Sequence, residues 1–194
     1  MNINCILAGV GGQGTVLASK LLAEAAMAKG LHARTAETIG MAQRGGCVVS
    51  HVKIGEEVFS PMVSEQSADI LIGFEPAEAV RCLKYVKKGA TVIVAKKSIK
   101  PVTATLSNSG YDSEEMLAFL KKQPIHLIIV DGEEICEQCG SSKVLNVALL
   151  GSAVASGIFE FTAEDMKAVI QKKVKEKFLA MNLCAFELGQ NYIK

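Results

Sequence analysis

The sequence predicts an α/β fold: a doubly wound, mainly parallel sheet with helices on both faces. Three observations predict it. A short apolar strand runs into the turn Gly9-Val10-Gly11-Gly12-Gln13-Gly14, and a helical pattern follows at once. Further short apolar runs alternate with helical stretches, the pattern of parallel strands joined by crossover helices. Hydrophobic residues make up 49% of the 194 residues, enough for one substantial core. No repeat, low-complexity stretch or long linker divides the chain, so residues 1–194 are expected to form a single domain.

The elements follow in order. Asn2 to Ala8 is short and apolar and ends at Gly9, as a buried strand does. Thr15 to Lys29 is predicted helical, because Leu17, Leu21, Leu22, Ala25 and Ala28 recur at helical spacing and Gly30 is a natural stop. His32 to Glu37 is the second predicted strand. The opening is then strand, glycine loop, helix, strand, which is Rossmann-like. Cys47 to Ile54 alternates as a strand, with Val49, His51 and Lys53 on one face and Val48, Ser50 and Val52 on the other. Asp69 to Gly73 reads as a buried strand, Pro76 to Lys87 as a helix, and Ala90 to Ala95 and Ile125 to Val130 as strands. Helices are expected over Lys143 to Ala155, Ala163 to Lys173 and Val174 to Gln190. The last two differ in character. Met166, Val169, Ile170 and Val174 form an apolar stripe opposite Lys167, Lys172, Lys173 and Lys175, whereas Phe178, Leu179, Met181, Leu183, Ala185, Phe186 and Leu188 leave little polar face. The terminal helix is therefore expected to be buried, either in the domain or at a subunit interface.

Composition excludes several functions. Lys and Arg number 21 against 20 Asp and Glu, so no long-range field attracts nucleic acid or an acidic membrane. Aromatics are 5% and Trp is absent, which argues against base-stacking platforms. No apolar run reaches the roughly 18 residues of a membrane span. The start Met1-Asn2-Ile3-Asn4-Cys5 does not read as a signal peptide, and five of the six cysteines sit in segments typical of reduced thiols. A cytoplasmic location is expected.

The glycine loop carries the first functional signal. Gly9, Gly11 and Gly14 fit G-x-G-x-x-G. Glycines let backbone turn tightly against a ligand, and the following helix presents unpaired amides and a positive dipole end. A phosphate or diphosphate is the natural guest. A dinucleotide would want an acidic residue roughly 20 positions on, and Glu37 stands near that distance. Tight helix–sheet packing without a ligand is the plainer alternative. The second signal is Gly40-Met41-Ala42-Gln43-Arg44-Gly45-Gly46. Following a strand, it would meet the crevice at the strand ends, where Arg44 could pair with phosphate or carboxylate. A surface Arg beside a flexible turn is equally compatible with the residues.

Val10-Gly11-Gly12-Gln13-Gly14-Thr15, taken with Gly40-Met41-Ala42-Gln43-Arg44-Gly45-Gly46, resembles the gamma-type domain of 2-oxoacid:acceptor oxidoreductases. Met41-Ala42-Gln43-Arg44-Gly45-Gly46 before Cys47-Val48-Val49-Ser50-His51-Val52 is most similar to the beta subunits of the indolepyruvate:ferredoxin enzymes in that family. Asn146 with Gly151, and Asn182, Ala185, Phe186 and Gly189, extend the resemblance along most of the chain. The resemblance implies oxidative decarboxylation of a 2-oxoacid, with indolepyruvate or another aryl pyruvate preferred. Coenzyme A would take the acyl group as co-substrate, and ferredoxin would accept the electrons. Thiamine diphosphate and 4Fe-4S clusters would belong to a larger catalytic subunit, and this chain would be inactive alone. It implies that Gly9, Gly11, Gly12, Gln13, Gly14, Arg44, Gly45 and Gly46 contact substrate or cofactor, with no catalytic side chain and no metal site of its own.

Other motifs are thinner. Cys136-Glu137-Gln138-Cys139 is a single C-x-x-C and cannot supply four cluster ligands. It reads as two thiols on an irregular acidic turn, with a redox pair or a shared metal site as alternatives. His32, His51 and His126 lie in or beside strands and read as packed or surface residues. Glu75 and Asp131 follow strand ends and read as helix caps or crevice residues. No G-x-S-x-G elbow and no G-x-x-x-x-G-K-[ST] loop occurs. Two rival functions stay open on the sequence: a stand-alone NAD(P)-binding dehydrogenase, and a phosphate-ligand-binding regulatory module.

Overall fold

The computed structural model describes residues 2–40, 46–98 and 112–193. Along the chain run β1 (Ile3–Val10), α1 (Thr15–Ala28), β2 (His32–Ile39), β3 (Cys47–Gly55), β4 (Ala68–Gly73), α2 (Pro76–Cys82), β5 (Val86–Ala95) and α3 (Ser113–Lys121). They are followed by β6 (His126–Val130), α4 (Gly132–Gln138), α5 (Leu145–Ala155), α6 (Ala163–Lys173) and α7 (Glu176–Gln190). Single 3-10 turns at Leu83–Tyr85 and Ser142–Val144 lead into β5 and α5.

Among the described residues the strands form one six-stranded sheet in the order β2-β3-β1-β4-β5-β6. The strands β1, β4, β5 and β6 are parallel neighbours, and β3 runs antiparallel to both β1 and β2. The expected α/β class holds, with a mixed, mostly parallel sheet. Within the sheet β2 does not lie beside β1. The connection 40–46 is too short for a crossover, which needs a dozen or more residues, so β3 must return antiparallel. It does so by inserting between β1 and β2, pairing Val10 with Cys47 and Ile39 with Val48.

Strand alternation sorts side chains onto two cores. Cys5, Leu7, Val52, Ile54, Ile70, Ile72 and Ile93 face α1, α5, α6 and α7. Ile6, Ala8, Leu71, Val92 and Val94 face α2 and α3. Val52 and Val49 fall on opposite sides, as the β3 pattern predicts. The stretch after Pro76 differs from the sequence reading. The helix from Pro76 stops at Cys82, and β5 starts at Val86, with a 3-10 turn between. The α3 and α4 segments are additional helices. Asp112 caps α3 by accepting from the Glu114 N–H at 2.8 Å, and Asp131 caps α4 by accepting from the Glu134 N–H at 3.3 Å.

The apolar terminal helix α7 packs on α5 instead of directly across the sheet. Asn182, Ala185, Phe186 and Gly189 are its buried positions, spaced at helical intervals. A Cβ on Gly151 would collide with the Phe186 carbonyl, and one on Gly189 with the Ala148 carbonyl. These two glycines bring the helix backbones together, and the Ser152 hydroxyl donates to the Gly189 carbonyl at 2.6 Å. The outer face keeps Phe178 exposed.

Candidate functional site

The parallel strands end at one rim, and the glycine loop forms its centre. The Gly11 N–H donates to the Gly46 carbonyl at 2.8 Å, and the Gly40 N–H donates to the Cys47 carbonyl at 2.8 Å. The glycine loop and the base of the Gly40-to-Gly46 segment therefore touch. Arg44 and Gly45 lie outside the described residues. Gly40 and Gly46 fix where their segment leaves and returns.

Each loop residue has a separate role. Gly12 has φ +102° and nothing where a Cβ would stand, so its left-handed backbone sets the turn. Gly14 has φ +80° and caps α1 without any side-chain hydrogen bond. No acidic residue occupies the first turn of α1. The helix thus keeps its positive end open toward the rim. Gln13 is committed inward. Its Oε1 accepts from the Val10 N–H at 2.8 Å, and its Nε2 donates to the Phe74 carbonyl at 2.8 Å. It stitches the loop to the end of β4. Gly9 is a packing residue, since a Cβ there would stand 2.8 Å from Gln13 Oε1 and 2.9 Å from Phe74 Cβ.

A cavity of about 920 Å³ opens beside the loop, within the size range of small-molecule sites. Gly11, Gly12, Gln13 and Gly14 form one wall. Lys97, Glu133, Cys136, Lys143 and Asn146 line the other. A smaller recess of about 320 Å³ lies across the loop, against Thr15, Val16 and Val48. Lys97 pairs with Glu133, and the carboxylate at its side raises the lysine pKa. Lys143 sits on the 3-10 turn before α5, where its backbone N–H donates to the Ser141 hydroxyl at 3.2 Å. The sequence reading did not bring Lys97, Lys143 or Asn146 to the loop. Asn146 was visible only as part of the family resemblance, because Gly14 and Asn146 are 132 positions apart.

The remaining candidates find ordinary roles. Glu75 caps α2, accepting from the Glu78 N–H at 3.0 Å. Asp131 caps α4 and pairs with Lys96 at 2.9 Å, which holds its carboxyl below the usual range. His51 is buried, its Nδ1 accepting from the Val63 N–H at 3.1 Å, and burial lowers its pKa. His32 and His126 are exposed. Cys136 lies within α4 and Cys139 at its C-cap, so the expected irregular turn is a helix. Burial pushes the Cys136 thiol up. Cys139 is pushed up to about 11, by burial first and then by a hydrogen bond with the Cys184 thiol. Such thiols are the reverse of an activated thiolate. Among the described residues, no three His, Cys, Asp or Glu side chains converge as metal ligands. Those residues do not fit an iron–sulfur cluster. Among them, too, no helix is long and apolar enough to cross a membrane.

Glu37 does not meet the needs of a dinucleotide site. It accepts from the Ser19 hydroxyl at 3.3 Å on the flank of α1. The intervening β3 puts its strand about 10 Å from β1.

The chain matches the family model described as pyruvate ferredoxin/flavodoxin oxidoreductase over residues 4–192. It belongs to this family. Among relatives, it is 38% identical to the indolepyruvate oxidoreductase subunit IorB of Archaeoglobus fulgidus, covering 98% of this chain and 95% of that protein. It is 30% identical to the ketoisovalerate oxidoreductase subunit VorA of Methanothermobacter marburgensis, over 97% of this chain but 36% of that longer protein. Among solved structures, the gamma subunit of a keto/oxoacid ferredoxin oxidoreductase from Geobacter sulfurreducens superposes with a TM-score of 0.77 at 21% identity, covering 100% and 97% of the two chains. The 2-oxoglutarate:ferredoxin oxidoreductase of Magnetococcus marinus, solved with 2-oxoglutarate, coenzyme A and succinyl-CoA, superposes with a TM-score of 0.73 at 18% identity. There the match covers 99% of this chain and 31% of the other. The fold of this 2-oxoacid:ferredoxin oxidoreductase family chain is therefore that of the gamma subunit.

Proposed function

We propose that this oxidoreductase family chain is the cluster-free subunit of an indolepyruvate or aryl pyruvate:ferredoxin oxidoreductase. The complex cleaves the bond between the carboxylate and the oxo carbon of the 2-oxoacid. Carbon dioxide leaves, the acyl group joins the coenzyme A sulfur, and two electrons pass to ferredoxin with release of a proton. Thiamine diphosphate, which supplies the carbanion chemistry, and the 4Fe-4S clusters are assigned to a larger partner subunit. The indolepyruvate preference rests on the Archaeoglobus relative, and the role of coenzyme A on the ligands of the Magnetococcus enzyme.

The observation that carries the reading is the Gly11-to-Gly46 hydrogen bond. It joins the glycine loop, which walls the large cavity and leads into the open end of α1, to the base of the Arg44 segment. This chain's work is then to bind and orient an anion. Gly12 and the open N-terminal end of α1 would receive phosphate, with Lys143 on the facing wall. Gly9, Gly11, Gly12, Gln13, Gly14, Arg44, Gly45 and Gly46 make up the proposed ligand loop, Gly9 and Gln13 acting by shaping it.

Co-expression with a large cluster-bearing subunit tests this, by copurification and by viologen reduction with indolepyruvate, pyruvate and 2-oxoglutarate. Copurification with the fastest turnover on indolepyruvate is expected. Absence of any association would overturn the reading. Arg44→Ala should raise the KM for coenzyme A or the oxoacid about tenfold, consistent with loss of one charge-assisted contact; unchanged kinetics would leave Arg44 outside the site.

A further inference from the structure

The helix α4 stands between the large cavity and α7. Glu133, Cys136, Glu137 and Gly140 line the cavity, at the three- and four-residue spacing of one helix side. Ile135 and Cys139, one turn apart, pack toward the core. There α4 meets α7, and the contact has two anchors. At the start of α4 the Tyr192 hydroxyl, just past the end of α7, donates to the Asp131 carbonyl at 3.4 Å. At the end of α4 the Cys139 thiol hydrogen-bonds with the Cys184 thiol of α7. Asp131 precedes Cys139 whereas Tyr192 follows Cys184, so the two helices lie antiparallel. A phenol ties one end of the contact and a pair of thiols the other.

One thiol of that pair opens to solvent. Cys184 is exposed and Cys139 half-buried, while Cys5 and Cys82 are sealed in the core. Cys136 lines the cavity. The C-x-x-C spacing is therefore not the pairing that the fold makes: the thiol bonded to Cys139 is 45 positions along the chain. Two thiols in contact, one of them accessible, meet the steric needs of thiol–disulfide exchange.

We propose that Cys139 and Cys184 form a modification site, a thiol pair that a low-molecular-weight disulfide oxidises reversibly to a cross-link between α4 and α7. The exposed Cys184 reacts first. Its thiolate attacks one sulfur of the reagent, a mixed disulfide forms on Cys184, and one reagent thiol leaves. The Cys139 sulfur gives its proton to water, attacks Cys184 Sγ and displaces the second reagent thiol. Two protein thiols lose two electrons and two protons, and the reagent disulfide takes these up as two thiols. Burial raises the Cys139 thiol, so the second step quickens in alkali. The consequence falls on the cavity. The tie at Cys139 holds the α4 wall against α7, and reduction releases it. This inference does not depend on which ligand the cavity takes.

The test treats the full chain, without denaturant and in alkaline buffer, with oxidised glutathione. The remaining thiols are then alkylated and the peptides mapped by mass spectrometry. A Cys139–Cys184 cross-link is expected, with Cys136 alkylated, and dithiothreitol should return both thiols. Cys139→Ser should stop at one glutathione on Cys184, and Cys184→Ser should leave Cys139 a free thiol. The wild-type map stands even if neither variant folds. Oxidised wild type should also unfold at a higher urea midpoint than the reduced chain, because the cross-link closes a long loop of the unfolded chain. Glutathione retained on Cys184, a Cys136–Cys139 cross-link, or dimers joined through Cys184 would each overturn the inference. So would a midpoint that fails to rise, since the sulfurs would then meet only by distorting the fold.

Discussion

Gly14 meets two demands at once. Its φ of +80° is costly for any residue with a Cβ, and a Cβ would also press on Asn146 Nδ2. Gly14→Ala is therefore expected to lower stability by roughly 2–3 kcal/mol, strain and displaced amide together, read as a shifted urea midpoint. An unshifted midpoint would mean that the loop relaxes easily around the new methyl. Gln13 matters for a different reason. Gln13→Ala leaves the Val10 N–H without its acceptor, at about 1–3 kcal/mol. The family resemblance implied that Gln13 is a ligand contact, and only the fold shows that both ends of its amide are spent on backbone. Cys136 offers a check on where the ligand lies, since it lines the same cavity. Its raised pKa makes alkylation slow at neutral pH. In alkaline buffer, desulfo-coenzyme A, which has no thiol to consume the reagent, should slow maleimide labelling of Cys136 while exposed Cys184 reacts as before, followed by peptide mass spectrometry. Equal protection of both thiols, or of neither, would place the ligand elsewhere.

At the scale of elements, β1, its glycine loop and α1 are plain in the sequence because every local preference agrees there. A fully apolar strand, glycines at the turn and helical spacing reinforce one another. The α3 and α4 helices are not, since so few turns show little 3.6-residue periodicity. In α4 only Ile135 is a buried apolar side chain. The antiparallel return of β3 was hidden for another reason: strand order depends on what lies beside what. The length of 40–46 held the clue, being too short for a crossover. Two element-level predictions follow from packing and capping. Gly189→Ala forces α7 away from the Ala148 carbonyl and should cost about 1–3 kcal/mol or more, seen as a lower Tm. At the start of α6, Thr162 and Asp165 form a reciprocal capping box. The Thr162 N–H and then Lys29 hold the Asp165 carboxyl down at about 2. Its folded pKa lies below the unfolded value near 4, so its stabilising effect is full above about pH 4 and fades as pH falls toward 2. Asp165→Asn should flatten the acid limb of the stability profile in that window alone, measured by urea unfolding at stepped pH.

At the scale of the whole molecule, coverage of the relatives bears on how the chain works. It matches nearly all of the Archaeoglobus subunit but about a third of the longer VorA and Magnetococcus chains. The same domain thus occurs both as a separate chain and as part of a longer one, which suits a unit that folds by itself and acts beside another. The cavity is lined by the glycine loop, two lysines and an asparagine. Such a wall suits the anionic co-substrate proposed above. The expected result is that the purified larger subunit has negligible coenzyme A-dependent viologen reduction alone. Adding this chain should restore turnover and saturate at a fixed ratio. The Gly14→Ala chain should saturate at the same ratio but with a raised KM for coenzyme A, because the damage lies at the loop and not at the contact between subunits. Full activity of the larger subunit without this chain would remove the division of labour. A changed saturation ratio with unchanged KM would move the function of the loop from ligand to partner.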